Sequence, residues 1–179
     1  MPRIPAVDPS LATGTVKQML DTVQKQLGIT PNLMRTLATA PAALKGYLDL
    51  NTTLAGGVLG HKFREQIALT VAQANACDYC LGAHAALGAM VGLSGADIAA
   101  SRDARAADPR RDAGLKFAKA VVAGRGQVSD AEFIKARTAG LNDAEITEIV
   151  ANVALNILTN YINHVAQTTL DFPAVDVAA

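Results

Sequence analysis

The hydrophobic positions along the chain repeat with the period of an α-helix. In the first clear run the apolar residues are three or four positions apart and the run stops at Gly28; its members are Val16, Met19, Leu20, Val23 and Leu27. This spacing places apolar side chains on one face of a helix, and a glycine directly after the last of them is a common helix stop. Alternating apolar and polar runs bounded by turn pairs, which would predict strands, are absent from the sequence.

Three later segments share a helix-start pattern. Each has an apolar residue, a capping residue, an acid three places on and another apolar residue directly after the acid; the capping residues are Ser94, Ser129 and Asn142. The capping side chain and the acid satisfy each other's backbone N–H groups, and the apolar pair holds the entering chain. The pattern predicts helix starts near residues 95, 130 and 143, and Asp108-Pro109 predicts one more.

Prolines and glycines mark the earlier boundaries. Pro31 and Pro41 each fit the first position of a helix, and Gly56-Gly57 mark a break. The prolines near the N-terminus keep residues 1–12 as an extended arm. We therefore predict one all-α domain over residues 1–179, built as a bundle of about seven or eight helices.

Composition narrows the possible partners. Lys plus Arg and Asp plus Glu number 16 each, the net charge is zero, there is no Trp, and aromatic residues make up 4%. A nucleic-acid partner would require a basic face and stacking aromatics, so none is expected. No apolar stretch follows the first residues and no run approaches the roughly 18 apolar residues of a membrane span, which predicts a cytoplasmic protein without a membrane partner.

The only two cysteines, Cys77 and Cys80, are separated by two residues. Thiols at this spacing can close a small disulfide ring, and in a reducing compartment such a pair is more often catalytic or metal-binding than structural. One helix is predicted over about 61–76 and the next over 77–91, which places the pair at their junction, where the positive end of the second helix favours a thiolate. His84 follows Cys80 by four residues on the same helix face, so Cys80 is the predicted nucleophile and Cys77 the resolving thiol.

Glu65 lies twelve residues before Cys77 on the preceding predicted helix. If the two helices pack as an antiparallel hairpin, its carboxylate can orient or charge the ring of His84, and the imidazole can take the proton of Cys80. An ideal hairpin places Glu65 opposite residues near 88, so the crossing angle and long side chains must close a gap. The predicted site consists of Cys80, Cys77, His84 and Glu65.

This segment resembles the motif of the alkylhydroperoxidase D-like proteins, within the carboxymuconolactone decarboxylase superfamily: Glu, eleven residues, then Cys-X-X-Cys-X-X-X-His. The similarity runs through residues 63–92, inside a predicted redox core of about 58–92, and residues 160–173 are similar to the tails of peroxidase-related members. The resemblance implies an alkylhydroperoxidase D-like helical bundle, a homo-oligomer, and dithiol peroxidase or disulfide reductase chemistry without a metal or other cofactor. Its substrates would be a hydroperoxide and a dithiol electron donor, for example a lipoyl-bearing protein.

The family pattern also implies roles for the site residues. Its second cysteine attacks the peroxide, its first resolves the product, and its Glu and final His form a proton relay; these roles fall on Cys80, Cys77, Glu65 and His84. The best-known members place another His just before the second cysteine, where this chain has Tyr79. A phenol with a pKa of about 10 does not shuttle protons near neutrality, although it can form hydrogen bonds. The presence of Tyr79 in place of this histidine is therefore expected to affect the rate of peroxide reduction, while the dithiol and the main relay remain.

Two other functions fit parts of the pattern. A zinc-held interaction module would use Cys77, Cys80 and His84, with His61 or His164 as the fourth tetrahedral ligand, but a second Cys-X-X-Cys is missing. A decarboxylase or lactone-processing enzyme follows from the superfamily resemblance. The cysteine pair would be idle in that chemistry.

An amide stripe runs along the predicted last helix at spacings of three and four residues. Its members are Asn152, Asn156, Asn160, Asn163 and Gln167. We interpret the stripe as a solvent-facing or interhelical hydrogen-bonding surface. A subunit interface is an alternative, and a substrate-lining role for Asn163 and His164 is a weaker one.

Overall fold

The computed structural model describes residues 1–175, so the last four residues of the domain predicted over 1–179 lie outside it. Within residues 1–175 the chain forms nine α-helices and no strands, which confirms the all-α class. They are α1 (Gly14–Leu27), α2 (Asn32–Leu37), α3 (Pro41–Ala55), α4 (His61–Ala74), α5 (Asp78–Met90), α6 (Gly95–Arg102), α7 (Pro109–Ala123), α8 (Asp130–Thr138) and α9 (Asp143–Ala166). The predicted count of seven or eight is slightly low, although separate helices were predicted from Pro31 and Pro41, and both form as α2 and α3. No helix in this part of the chain is both long and apolar enough to cross a membrane.

Local capping sets most helix starts as the sequence predicted. Reciprocal capping boxes form at Ser94, Ser129 and Asn142. Asp108 caps α7 ahead of a proline at the first helical position. Pro31 stands one residue before α2 rather than at its first position. Gly28 ends α1 at φ 76°, a left-handed conformation that glycine adopts without strain.

Helix α4 holds the centre of the domain, because it is apolar on two sides. It packs against α5, α6, α7 and α9. Its Leu69 and Ala72 join a core with α1, α2, α3 and α5, whereas Ile67 and Val71 join a second core with α7, α8 and α9. Side chains on the remaining face of α4 are therefore held in fixed positions relative to α5, and Glu65 is one of them.

The junction between α4 and α5 is a turn of three residues, 75–77, where the sequence predicted that one helix follows the other directly. Helix α4 ends two residues before the predicted position, and α5 begins at Asp78 rather than at Cys77. The cause is local: Ala76 takes a left-handed conformation at φ 51°, and the N–H of Cys77 donates to the carbonyl of Ala72 at 2.9 Å. Cys77 thus becomes the N-cap residue of α5.

The C-terminal segment, residues 167–175, lies across α2 and α5. The N–H of Asn32 donates to the Asp171 carboxylate at 2.5 Å, which fixes the segment to the start of α2. The ring of Phe172 packs edge-on against that of Tyr79, with centroids 5.8 Å apart. The segment therefore covers the helix that carries the cysteines.

Candidate active site

Glu65 on α4 and His84 on α5 form a close carboxylate–imidazole pair. The Glu65 Oε2 atom lies 2.8 Å from His84 Nδ1, and the side chains are 21% and 19% exposed respectively. The long glutamate side chain closes the gap that an ideal hairpin would leave. With Nδ1 engaged by the carboxylate, Nε2 is the ring nitrogen left for exchange of a proton with other groups.

The two cysteines are reduced and buried at the start of α5. The Sγ atom of Cys77 accepts the N–H of Cys80 at 3.4 Å, as an N-cap side chain does. A hydrogen bond from the Cys80 thiol lowers the pKa of Cys77 to about 7; burial opposes this effect, while the Cys80 N–H and two histidines, His164 and His84, support it. The same shared proton, together with burial, raises the pKa of Cys80. The pair therefore loses a first proton near neutrality and holds the second strongly.

This distribution of charge differs from the sequence-based expectation, which assigned the helix N-terminus to Cys80. Because α5 begins at Asp78, the N–H of Cys80 points at the sulfur of Cys77 and favours negative charge there. Within residues 1–175, His84 donates no hydrogen bond to either sulfur; it acts on Cys77 through electrostatics. The structure thus brings Glu65 to His84 and Cys77 to Cys80, without direct contact between the two pairs.

The amide stripe of α9 faces inward, so a solvent-facing stripe is the wrong interpretation for its asparagines. The four asparagines are at most 6% exposed, while Gln167 at the helix end is exposed. Two of them bond to other helices: Asn152 accepts from the guanidinium of Arg64 at 3.1 Å, and Asn163 Nδ2 donates to Cys80 Sγ at 3.2 Å. The sequence suggested Asn163 only as a weak substrate-lining residue, yet it contacts the thiol site directly.

Two cavities reach the site from different sides. One of about 260 Å³ has walls that include Cys77, Asn163 and His164. The other, of about 30 Å³, is bordered by Glu65 and His84 and is large enough for a water molecule. Larger cavities of about 620 and 910 Å³ are lined by none of the four predicted site residues. The cavity beside the thiols is therefore entered past Cys77, and it shares no lining residue with the cavity beside the carboxylate–imidazole pair.

Two tyrosines border the thiols. Tyr79 accepts the N–H of Leu33 at 3.0 Å; burial raises its pKa, and the Asp171 carboxylate adds to the rise, so the phenol stays neutral and structural. Tyr47 on α3 was missed by sequence reasoning. Burial, then Glu65 and Cys80, raise the pKa of Tyr47 to about 12, which shows that it lies near both. No motif or spacing links Tyr47 to the cysteine pair.

The donor set for a zinc site does not assemble. In the part of the chain that the structure describes, no three His, Cys, Asp or Glu side chains are grouped so that they could hold a metal ion. His84 is engaged by Glu65, and His164 Nε2 lies 2.8 Å from the carbonyl oxygen of Asn75. His61 lines a different cavity from the thiols.

The all-α bundle resembles known families and solved structures. The family model for the carboxymuconolactone decarboxylase family matches residues 41–120. A peroxidase-related protein from Ralstonia eutropha JMP134 with an alkylhydroperoxidase AhpD core is 26% identical, with a TM-score of 0.83 over 95% of this chain and 92% of that one. The chain is thus similar to the carboxymuconolactone decarboxylase family over residues 41–120, and along most of its length it shares the fold of a protein with an alkylhydroperoxidase AhpD core.

Two further structures share the fold. A peroxidase-related protein from Silicibacter sp. TM1040 is 22% identical, with a TM-score of 0.80 over 93% of this chain and 91% of that one. The debrominase Bmp8, solved as a cysteine-to-alanine variant with 2,3,4-tribromopyrrole, is 16% identical, with a TM-score of 0.81 over 94% and 91%. Comparison with curated proteins gives no significant match.

Proposed function

We propose that this chain is a dithiol oxidoreductase that reduces hydroperoxides, with Cys77 and Cys80 as the redox pair and Glu65 and His84 as a proton relay. The observation that carries the proposal is a buried, reduced Cys-X-X-Cys pair whose first proton leaves near pH 7, the pKa of Cys77 being lowered to about 7. A thiolate at neutral pH is the species that attacks an O–O bond, and a second thiol two residues away can close the disulfide.

The reaction divides into two steps at the pair. One thiolate attacks the hydroperoxide: an S–O bond forms, the O–O bond breaks, and the alkoxide takes a proton and leaves as the alcohol. The other thiol attacks the resulting sulfenic acid, so that an S–S bond forms, the S–O bond breaks and water leaves with the second proton. An external dithiol, which we propose to be a lipoyl-bearing protein of the cytoplasm, reduces the disulfide by exchange.

The two sulfurs are suited to different partners. Cys77 borders the cavity of about 260 Å³, where a bulky dithiol donor can reach its sulfur. Cys80 lies behind it with an amide N–H from Asn163 on its sulfur, so negative charge that moves onto Cys80 during the reaction is stabilised. We therefore keep Cys80 as the thiol that attacks the small peroxide and Cys77 as the resolving thiol. The lower pKa of Cys77 favours the reverse assignment, and the cysteine variants decide between them.

The test is hydroperoxide consumption with and without dihydrolipoamide, in wild type and in two single variants. Cys80→Ser is expected to abolish turnover, whereas Cys77→Ser reacts once and stalls at a trappable sulfenic acid or over-oxidises, because only regeneration needs the partner thiol. Wild-type protein should lose two titratable thiols per chain on peroxide treatment and recover both with a dithiol. Sulfenate trapped on Cys77 in the Cys80→Ser protein, and none in the other variant, would invert the roles. Wild-type protein that leaves hydroperoxide unconsumed would reject the proposal.

A decarboxylase-like activity is the second candidate. It is supported by the match of residues 41–120 to the carboxymuconolactone decarboxylase family, which is named after a decarboxylase. In such a reaction the cysteine pair has no role. A lactone or decarboxylation turnover that survives Cys80→Ser, in a protein that consumes no hydroperoxide, would favour it over the dithiol proposal.

A further inference from the structure

The sulfur of Cys80 is faced by amide groups from α9. Asn163 donates Nδ2–H to Cys80 Sγ at 3.2 Å. Asn160, three residues earlier on the same face, has its Oδ1 held by the Asn75 amide at 2.8 Å, while its own Nδ2 is buried without a hydrogen-bond partner. Both amides oppose the rise in the pKa of Cys80, so the unpartnered Nδ2 also lies close enough to act on the sulfur.

Asn163 has a second feature that packing leaves unexplained. Its Oδ1 atom is buried and has no hydrogen-bond partner within the described chain, and the residue is 5% exposed. An unpaired buried acceptor is destabilising, and at a reactive centre it indicates a group that a ligand completes. Asn163 lines the same cavity of about 260 Å³ as Cys77 and also contacts the sulfur of Cys80, which does not line it, so this side chain links a space that a ligand can enter with the Cys80 sulfur.

We propose that Asn163 is a catalytic residue, whose Nδ2–H stabilises negative charge on Cys80 Sγ and whose Oδ1 accepts the O–H of the entering hydroperoxide. The inference rests on the proposed function of the site and deepens it. A hydroperoxide carries the required donor on the oxygen that the sulfur attacks. One side chain thus holds the nucleophile in its charged form and places the reacting oxygen next to it.

The attack begins when the proton shared by the pair moves from Cys80 to Cys77. The Cys80 thiolate forms an S–O bond to the hydroxyl oxygen of the hydroperoxide, the O–O bond breaks, and the electron pair leaves on the alkoxide. The alkoxide takes a proton from the relay side and departs as the alcohol, which leaves Cys80 as the sulfenic acid. Cys77 thiol closes the disulfide and water departs with its proton. Sulfur is oxidised, peroxide oxygen is reduced, and the N–H of Asn163 stays bonded to the sulfur throughout.

The first role proposed for Asn163, donation of Nδ2–H to Cys80 Sγ, is tested by titrating the Cys80 thiol in the absence of the Cys77 thiol. In a Cys77→Ser background, the thiolate absorbance of Cys80 near 240 nm is followed against pH. Asn163→Leu is expected to raise the apparent pKa of Cys80 by about 1–2 units, the loss of one hydrogen bond to a charged group. Asn163→Asp, which has the same shape but offers acceptors and negative charge, should raise it at least as far. Asn163→Ala replaces the Leu variant if melting or circular dichroism shows that Leu does not fold.

The control is Thr159→Val, which removes another buried polar group of α9, a hydroxyl that donates to the carbonyl of Asn156 in its own helix. It should leave the titration of Cys80 unchanged. A Cys80 pKa that is the same with and without Asn163, in folded protein, would overturn the donor role.

The second role, in which Asn163 Oδ1 accepts the O–H of the hydroperoxide, is tested by measuring turnover in protein that retains both cysteines. Asn163→Leu should lower kcat/KM for a hydroperoxide, and a deficit of about tenfold should remain at a pH where Cys80 is fully ionised, because the oxygen acceptor is still missing. A deficit that vanishes at high pH would overturn the acceptor role. The titration needs no peroxide, so a wild-type protein without peroxidase activity would reject the proposed function while the effect of Asn163 on the thiolate remains measurable.

Discussion

At the scale of single residues, Glu65 acts on the thiols indirectly, through His84. Its carboxylate lies 2.8 Å from His84 Nδ1, which fixes the orientation of the ring. The imidazole in turn helps to lower the pKa of Cys77, part of a pair that shares one proton. Glu65 is therefore a positioning residue for His84, and its effect on reactivity should depend on pH.

Glu65→Gln and His84→Gln are each expected to slow the reaction with hydroperoxide by about 10²–10⁴ at neutral pH. Without the relay the pKa of the pair rises above the value of about 7 found for Cys77, so less thiolate is present at pH 7. The deficit should shrink as pH rises past the new pKa, because the thiols then ionise without help. The pH profile of kcat/KM, with thiol alkylation rates beside it, is the measurement.

The double variant should be little slower than the slower single one, since the two residues act in series. Asp21→Asn, which removes a carboxylate from an exposed ion pair with Lys17 on α1, is the control and should change neither rate nor profile. Additive losses, or a deficit that is constant up to high pH, would leave Glu65 with a structural role only.

Sequence spacing was enough to nominate the four predicted site residues, because three of them lie in one continuous motif and Glu65 is on the adjoining helix. It named Asn163 only as a weaker substrate-lining candidate and did not name Tyr47, because α9 and α3 return to the cysteines from distant parts of the chain. It also misplaced the charge on the pair. The N-cap side chain receives the free N–H, and Cys77 occupies that position only because α5 begins at Asp78 and not at Cys77, which spacing does not determine.

At the scale of elements, the C-terminal segment is fitted onto α5. Gly82 permits the close approach, since an added Cβ would lie 2.7 Å from the carbonyl oxygen of Pro173. Tyr79 holds the segment through its ring contact with Phe172, while its hydroxyl is bonded to α2. Thr168 also lines the cavity beside Cys77, so the seating of this segment sets access to the thiols.

Tyr79→Phe should therefore both destabilise the protein and expose the pair. The buried N–H of Leu33 loses its acceptor, which typically costs about 1–3 kcal/mol. Urea unfolding measures the loss of stability. Alkylation of the native protein should become faster as the segment loosens, and hydrogen exchange should rise at residues 168–175. Tyr161→Phe, at an exposed tyrosine of α9, is the control; equal stability and equal alkylation of the two variants would deny Tyr79 this role.

Helix boundaries were predictable where the signal is local and not where it is tertiary. The capping boxes at Ser94, Ser129 and Asn142 lie within four residues, and all three form. The end of α4 was predicted two residues beyond its actual position. No glycine or proline in the sequence marks the left-handed turn at Ala76. The path of residues 167–175 over α5 depends on contacts with α2 and α5, which no local pattern encodes.

At the scale of the whole molecule, one apolar surface has no partner within the described chain. The outer face of α9 carries large apolar side chains at helical spacing over about 22 Å. They are Val150 (41% exposed), Leu158 (41%), Tyr161 (58%) and Val165 (62%). Zero net charge leaves no long-range repulsion between copies of the chain. We propose that a second copy covers this stripe, because a two-fold axis pairs the same patch with itself.

Tyr161→Glu on this stripe is expected to convert the oligomer to a monomer, since a carboxylate at a self-paired interface is desolvated and faces its own copy. Light scattering after gel filtration, at matched protein concentrations, gives the mass of each species. Ile134→Glu on α8, at a position 59% exposed and outside the stripe, is the matched control and should keep the wild-type mass. A wild-type protein that is monomeric at micromolar concentration would remove the proposal. A loss of assembly in both variants would show that the effect of Tyr161→Glu is not specific to the stripe, and would remove the proposal as well.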